Sequence, residues 1–313
     1  MTPGRILITG AAGFTGLHAC RTFANSGWEV IAILSPRSLI SENLTAVHAE
    51  GCDLTDGTAV NKLLGSIRPE AVLHLAGRNA VDVSWKEPTA TLAANLMSTA
   101  NLLEGVRAID SCRMLVVGSM LRSDPSRLAE ALHPYGFSKT LQAAAAQAWH
   151  HWYSLPVMIA EPSNLVGPGN SGGLCGKIVR WVAASEELGE DQPPFRLSSL
   201  DESRDFLDVR DAAAAYEAIL NKGLPGVSYA IESGIRRTLG EVKAVFDEAA
   251  AVRLRWIVGD DQPSPSPLSR DASRIRELGW SPSVTFPESI RHALAEERRR
   301  RRMEGGEPSF RIP

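Results

Sequence analysis

Residues 5–23 constrain the fold more than any other part of the chain. Arg5-Ile6-Leu7-Ile8-Thr9 is a short apolar run of the kind that forms a buried parallel strand. It leads directly into Gly10-Ala11-Ala12-Gly13-Phe14-Thr15-Gly16, and Leu17 to Phe23 continues with the apolar periodicity of a helix. Strand, glycine turn and helix in that order make the dinucleotide-binding fingerprint. Gly10 suits the tight turn, Gly13 the close approach of a pyrophosphate, and Gly16 the packing of helix on strand. The helix N-terminus offers unpaired N–H groups to the phosphates.

The same alternation continues. Strand-like runs recur at Glu29–Leu34, Thr45–His48, Ala71–Leu75, Met114–Gly118 and Val157–Ala160, separated by helical patterns at Asp56–Ser66, Thr89–Arg107 and Lys139–Trp152. Such alternation predicts an α/β fold, a Rossmann-type doubly wound parallel sheet. After Pro162 the pattern changes, and only Asp205–Leu220 and Gly226–Glu232 read as a return to it. The expected division is a dinucleotide-binding domain at 1–163 and 204–232, and a smaller discontinuous α+β substrate domain at 164–203 and 233–297. Residues 298–313 begin with five arginines and are expected to form a basic, flexible tail, read as a solvated helix end rather than a nucleic-acid grip.

At 313 residues, with 44% hydrophobic content and a net charge of −3, the chain is an ordinary globular protein without a global bias toward nucleic acid. No signal peptide or membrane span is legible. Cys20, Cys52, Cys112 and Cys175 lack metal-like spacing, so reduced thiols, a cytoplasmic setting and no metal are expected.

Tyr135-Gly136-Phe137-Ser138-Lys139 sets a phenol and an ammonium four residues apart, on one face if helical. A nearby positive charge lowers a phenol's pKa, which makes the pair a candidate general acid/base. No acidic residue closes the second strand to hold an NAD ribose; the position reads Leu34-Ser35-Pro36-Arg37-Ser38. Arg37 offers a planar cation for a 2′-phosphate, with Ser35 and Ser38 as added donors. NADP is therefore the expected cofactor, with NAD possible.

The spacing T-G-x-x-G-F-x-G together with the Tyr/Lys pair resembles the extended short-chain dehydrogenase/reductase family, over nearly the whole chain. His74-Leu75-Ala76-Gly77 is similar to the family's H-L-A-A, Asn95 sits in its usual helix, and Asp53-Leu54-Thr55-Asp56 resembles its acidic turn beside the adenine. Asn164-Leu165-Val166-Gly167-Pro168-Gly169, Arg204-Asp205-Phe206-Leu207-Asp208-Val209-Arg210-Asp211, and Asp271-Ala272-Ser273 with Leu278-Gly279-Trp280 resemble motifs of nucleotide-sugar enzymes. Within the family, the GDP-mannose 4,6-dehydratase and GDP-4-keto-6-deoxymannose reductase branch is nearest, and Val83-Ser84-Trp85 looks more like the reductase. The resemblance implies cofactor contacts from Gly10, Ala12, Gly13, Phe14, Thr15, Gly16, Asp53, Leu54, Leu75, Ala76, Gly77, Tyr135 and Lys139. It implies substrate contacts from Asn164 and Arg204, with Lys177 in support, and a homodimer through the helices at 89–107 and 139–152.

Three departures bear on chemistry. The family's tyrosine works with a Ser or Thr ending the fifth strand; aligning strand ends puts Met120 there, which cannot donate, unless a one-residue shift lets Ser119 serve, with Ser123 a second candidate. Leu121 and Arg122 stand where dehydratases carry a carboxylate. Glu161 and Gln262 replace two arginines, which is expected to weaken a diphosphate. The function these features imply is an NADP-dependent sugar-nucleotide oxidoreductase. It is expected to reduce a 4-keto-deoxysugar nucleotide, with Tyr135 as proton donor, Lys139 on the ribose and Ser119 polarising the carbonyl. A sugar-nucleotide epimerase or dehydratase with recycled cofactor, and a non-catalytic NADP-binding regulatory protein, are the alternatives.

Overall fold

The computed structural model describes residues 4–36, 44, 48–259 and 271–305. The chain forms β1 (Arg5–Thr9), α1 (Phe14–Asn25), β2 (Glu29–Leu34), β3 (His48–Gly51), α2 (Gly57–Ile67), β4 (Ala71–His74), α3 (Val81–Lys86) and α4 (Pro88–Leu92). A π-helical turn, Ala93–Met97, joins α4 to α5 (Ser98–Arg107); β5 (Arg113–Val117), α6 (Pro134–Tyr153) and β6 (Val157–Pro162) follow. Next come β7 (Asn164–Val166), α7 (Leu174–Leu188), β8 (Phe195–Leu197), β9 (Ser203–Asp208), α8 (Val209–Lys222) and β10 (Ser228–Ile231). The chain closes with β11 (Arg236–Thr238), α9 (Leu239–Ala249), β12 (Trp256–Val258), α10 (Ser273–Glu277) and α11 (Phe286–Gly305).

Two compact units result. The first comprises Met1–Ser163, Arg210–Ile231 and Ser269–Ser281. Its seven strands pair in the order β10-β6-β5-β4-β1-β2-β3, every pair parallel. The central strands β4 and β6 are buried along their whole length, as apolar runs covered on both faces must be. The edge strand β3 is exposed throughout, begins where the sequence reading ends its strand, and its preceding residues 45–47 lie outside the described ones. Leu7, Ile33, Val72, Leu102, Leu103, Val116 and Ile159 join sheet to helices in one core. Each contributes roughly 1.5–3 kcal/mol by leaving water. Asp56 caps α2 by accepting from the N–H groups of Thr58 and Ala59, which fixes where that helix begins.

The second unit comprises Asn164–Val209, Glu232–Leu268 and Pro282–Pro313. Its main sheet runs β11-β9-β7, antiparallel at the first junction and parallel at the second, and β12 pairs with β8. Ile178, Val182, Phe206, Val242, Phe246, Ile290 and Leu294 form its core. A capping box at Thr238 and Glu241 starts α9.

Three boundaries differ from the sequence reading. β9 belongs to the second unit, because its partners are β7 and β11, so the return to the first unit starts at α8. Residues 269–281 rejoin the first unit, where the indole N–H of Trp280 donates to Asp211 O at 3.0 Å and Lys222 Nζ donates to Leu278 O at 3.1 Å. The arginine run continues α11 instead of opening a tail at 298. Arg298 pairs with Glu186 at 2.6 Å, Arg301 with Glu187 at 2.8 Å, and Arg300 with Glu297 at 2.7 Å. Among the described residues no helix is long and apolar enough to cross a membrane.

Candidate active site

The glycine loop has the shape that a dinucleotide requires. Gly10 has φ +68°, a left-handed conformation that favours glycine, and a Cβ there would lie 2.8 Å from Ala76 N. A Cβ on Gly16 would lie 2.2 Å from Gly10 O and 2.7 Å from the Ala11 backbone, so α1 can approach β1 this closely only through glycine. Gly13 is the N-cap of α1 and supplies no side-chain cap, leaving the first-turn N–H groups of Phe14, Thr15 and Gly16 facing outward as an anion cradle. These features fit a pyrophosphate. Around the loop, Leu75 N donates to Thr9 O at 3.3 Å, and Asn95 clamps the turn after β4, accepting from Arg78 N at 2.7 Å and donating to Arg78 O at 3.1 Å. Asp53 turns its carboxylate inward to Thr55, while Leu54 O accepts from Asn101 Nδ2 at 2.9 Å. Ser35 is exposed past the end of β2; Arg37 and Ser38 lie outside the described residues.

Helix α6 carries the Tyr/Lys pair. Pro134 occupies its first turn, and His133 caps it by accepting from Gly136 N at 2.8 Å. Tyr135 is held at its backbone by Ser84 Oγ, 3.1 Å from Tyr135 N, and at its carbonyl by Ser138 Oγ at 2.7 Å. Its phenol lies within reach of the Ser119 hydroxyl. Burial raises the phenol's pKa, and the Ser119 hydroxyl offsets this only in part. The phenol therefore stays protonated at neutral pH, ready to give a proton. The expected meeting of Tyr135 with Lys139 is not how the lysine is held: Lys139 Nζ donates to Val117 O at 3.0 Å and to Gln142 Oε1 at 2.9 Å. Burial draws the Lys139 ammonium down to about 8.

Ser119, rather than Met120, is the residue that faces the Tyr135 phenol. The ladder runs on past the end of β5, with Gly118 N bonded to Ala160 O at 2.8 Å and Met120 N to Pro162 O at 3.2 Å. Residues 118 and 120 thus share one face, and Ser119 projects from the other, toward Tyr135. The backbone N–H of Ser123 donates to Thr140 Oγ1 at 2.8 Å and ties the loop to α6.

The other departures explain one another. Arg122 and Glu161 form an ion pair at 2.5 Å, with the Glu161 side chain 2% exposed and that of Arg122 15% exposed. Glu161 is therefore not a bare negative charge, contrary to the expectation drawn from its sequence position. Gln262 lies outside the described residues. Asn164, Lys177 and Arg204 belong to the second unit. Asn164 Nδ2 donates to Asp205 O at 2.9 Å, Lys177 is exposed on α7, and Arg204 Nε donates to Glu202 Oε1 at 2.8 Å. The sequence reading of residue roles missed Thr99 and Gln142, which stand between Lys139 and His74; the three-residue spacing of Gln142 from Lys139 on one helix was the available signal.

Comparison with known proteins agrees with this geometry. The chain is 27% identical over 315 residues to GDP-6-deoxy-D-mannose reductase of Pseudomonas aeruginosa, covering 93% of this chain and 96% of that one. It is 28% identical over 327 residues to dTDP-glucose 4,6-dehydratase of Xanthomonas campestris, covering 91% and 90%. RMD from Pseudomonas aeruginosa complexed with NADPH superposes with a TM-score of 0.78 at 26% identity, over 95% of this chain and 99% of that one. The fold is also that of a Thermus thermophilus UDP-glucose 4-epimerase complex with NAD, with a TM-score of 0.80 at 24% identity and coverage of 94% and 99%. The model of the NAD dependent epimerase/dehydratase family matches residues 6–231. The chain is a member of that family, an enzyme of the extended short-chain dehydrogenase/reductase type that uses a nicotinamide dinucleotide.

Proposed function

We propose that this enzyme uses NADPH to reduce the 4-keto group of a deoxysugar nucleotide. The observation that carries the reading is the buried Tyr135 phenol within reach of the buried Ser119 hydroxyl, with Lys139 on the same helix. When bound, the dihydronicotinamide supplies hydride. Ser119, whose oxygen accepts from Leu121 N at 3.1 Å, donates its hydroxyl hydrogen bond to the substrate carbonyl in place of the phenol oxygen and so polarises it. Tyr135, kept protonated by burial, gives its proton to the oxygen as negative charge develops there. Lys139 holds the nicotinamide ribose with the one remaining hydrogen of its ammonium. Gly10, Gly13 and Gly16 shape the pyrophosphate cradle, and Ser35, Arg37 and Ser38 select the 2′-phosphate. Asn164, Lys177 and Arg204 take the nucleotide of the substrate, with Arg204 exchanging part of its Glu202 contact for phosphate.

Arg122 favours reduction over dehydration. Elimination of a hydroxyl needs a carboxylate near the tyrosine, and the residue there is a cation already committed to Glu161. The relatives named as reductase and dehydratase support the nucleotide-sugar class. We also infer a homodimer through the helical stretch at 89–107 and α6, where Met97, Trp152 and Tyr153 leave large apolar surfaces exposed.

The test is a binding titration of NADPH and NADH, repeated with GDP, UDP, CDP and dTDP. Selective NADPH binding with one tight nucleotide supports the proposal and names the substrate to assay. NADPH binding with no nucleotide diphosphate bound overturns the sugar-nucleotide part.

A further inference from the structure

Gln142 carries none of the sequence fingerprints, yet its side chain is fully buried against the lysine of the site. Its Oε1 accepts from Lys139 Nζ at 2.9 Å, and its Nε2 donates to Thr99 Oγ1 at 2.8 Å. Thr99 has one hydroxyl proton and gives it to Asn95 O at 2.7 Å. Thr99 Oγ1 must then accept from both other neighbours, so His74, 2.9 Å away, carries its proton on Nε2. His74 Nδ1 is left as an acceptor for the Thr9 hydroxyl at 2.8 Å, and Thr9 Oγ1 accepts from Ala76 N at 3.2 Å. Every donor in this buried chain meets an acceptor. Reversing any member sets donor against donor, a costly arrangement away from water.

We propose that Gln142 is the positioning residue for Lys139: it holds the ammonium with a neutral amide oxygen. Through Thr99 and His74 it also locks the lysine to Thr9 and Ala76 at the carboxyl ends of β1 and β4. The proposal rests on Lys139 being the ribose ligand. Among the described residues, both hydrogen-bond partners of the ammonium are neutral oxygens, so its charge is left available to the cofactor. Of the titratable groups, His74 on β4 feels the ammonium's charge directly, while Tyr135 stands four residues earlier on α6 and Tyr216 on α8 couples to Tyr135. His74 is kept neutral by burial and by the Lys139 charge, which draw it down to about 3. No proton held there competes with the ammonium. Burial alone accounts for the lowered Lys139, consistent with a neutral partner at position 142.

The experiment follows the lysine directly. The full chain is labelled with 13C at lysine Cε and titrated by NMR, with Lys139 assigned through Lys139→Met, and NADPH affinity is measured beside it by fluorescence. In the wild type one lysine titrates near about 8. Gln142→Glu, which sets a carboxylate against the ammonium, moves that midpoint up by about one unit or more. Gln142→Met removes acceptor and donor at similar volume; it moves the midpoint further down and weakens NADPH roughly tenfold at pH 7. A purely structural glutamine would lower the melting temperature while leaving midpoint and NADPH affinity in place, and that result overturns the proposal. So does a wild-type titration with every lysine in the ordinary range, a measurement that needs no variant to fold. If Gln142→Glu moves the midpoint but the wild type binds no NADPH, the ribose reading fails and the positioning stands. If NADPH binds and Tyr135→Phe loses turnover while the midpoint stays put, only the positioning fails.

Discussion

Replacing Arg122 by methionine leaves the Glu161 carboxylate in the sheet without the guanidinium that lies 2.5 Å from it. The carboxylate side chain is only 2% exposed, so water cannot take over the role of the partner. Breaking such a buried pair from one side costs roughly 3–5 kcal/mol. At about 2–4 °C per kcal/mol for a chain of this size class, Arg122→Met is expected to melt about 10 °C below the wild type. Glu161→Gln costs less, about 1–2 kcal/mol, because the Arg122 side chain is 15% exposed and can turn partly toward solvent. The double variant Arg122→Met/Glu161→Gln removes both charges and is expected within about 1 kcal/mol of the wild type. Thermal and urea unfolding of the four proteins, followed by tryptophan fluorescence and circular dichroism, complete the double-mutant cycle. If Arg122→Met loses less than about 1 kcal/mol, or the double variant is no better than the sum of the singles, the pair is not the compensating unit described here.

Tyr135→Phe is expected to cut turnover by roughly 10²–10⁴-fold while NADPH binding stays intact, since it removes proton transfer and little else; unchanged turnover rules the role out. Gly16→Ala places a methyl carbon 2.2 Å from Gly10 O, and the displaced loop should weaken NADPH by about 10–100-fold in a direct titration. Native affinity in that variant would mean the cradle is not where the pyrophosphate sits. His74 titrates at 6.5 when unfolded and about 3 when folded, so the unfolded chain binds the extra proton between those values. Its contribution is fully present above that window and is lost as the pH falls through it. Urea midpoints should therefore drop between pH 7 and 5, less so in His74→Gln; equal drops in both proteins would remove His74 as the cause.

What was legible in the sequence was local. The strand–glycine–helix order at residues 5–25 and the Tyr/Lys spacing declare themselves because neighbouring residues carry the whole signal. The position of Ser119 was harder to read: strand pairing continues to Met120, and the facing of a side chain depends on ladder bonds to β6. Arg122 and Glu161 each looked like a lost function when read alone. Their mutual compensation emerges only when β5 and β6 lie side by side. β9 holds only Phe206 and Leu207 as apolar residues, and so short a strand does not say which partner will pair with it. The proton order from Lys139 to Ala76 draws on four elements and has no sequence signature.

The threading of the two units sets an order on biosynthesis. β10, the strand that covers the outer edge of β6, arrives only after the first segment of the second unit has been made. At bacterial or eukaryotic elongation rates that interval is on the order of seconds, far longer than a helix or hairpin needs to form. During it, β6 presents Ile159 to Pro162 as an unpaired edge, the kind of surface on which nascent chains associate. The second unit waits longer, because Ile290 and Leu294 of its core sit on α11. A nascent chain thus remains incomplete in both halves until α11 has been made, and its exposure to chaperones is set by connectivity more than by final stability.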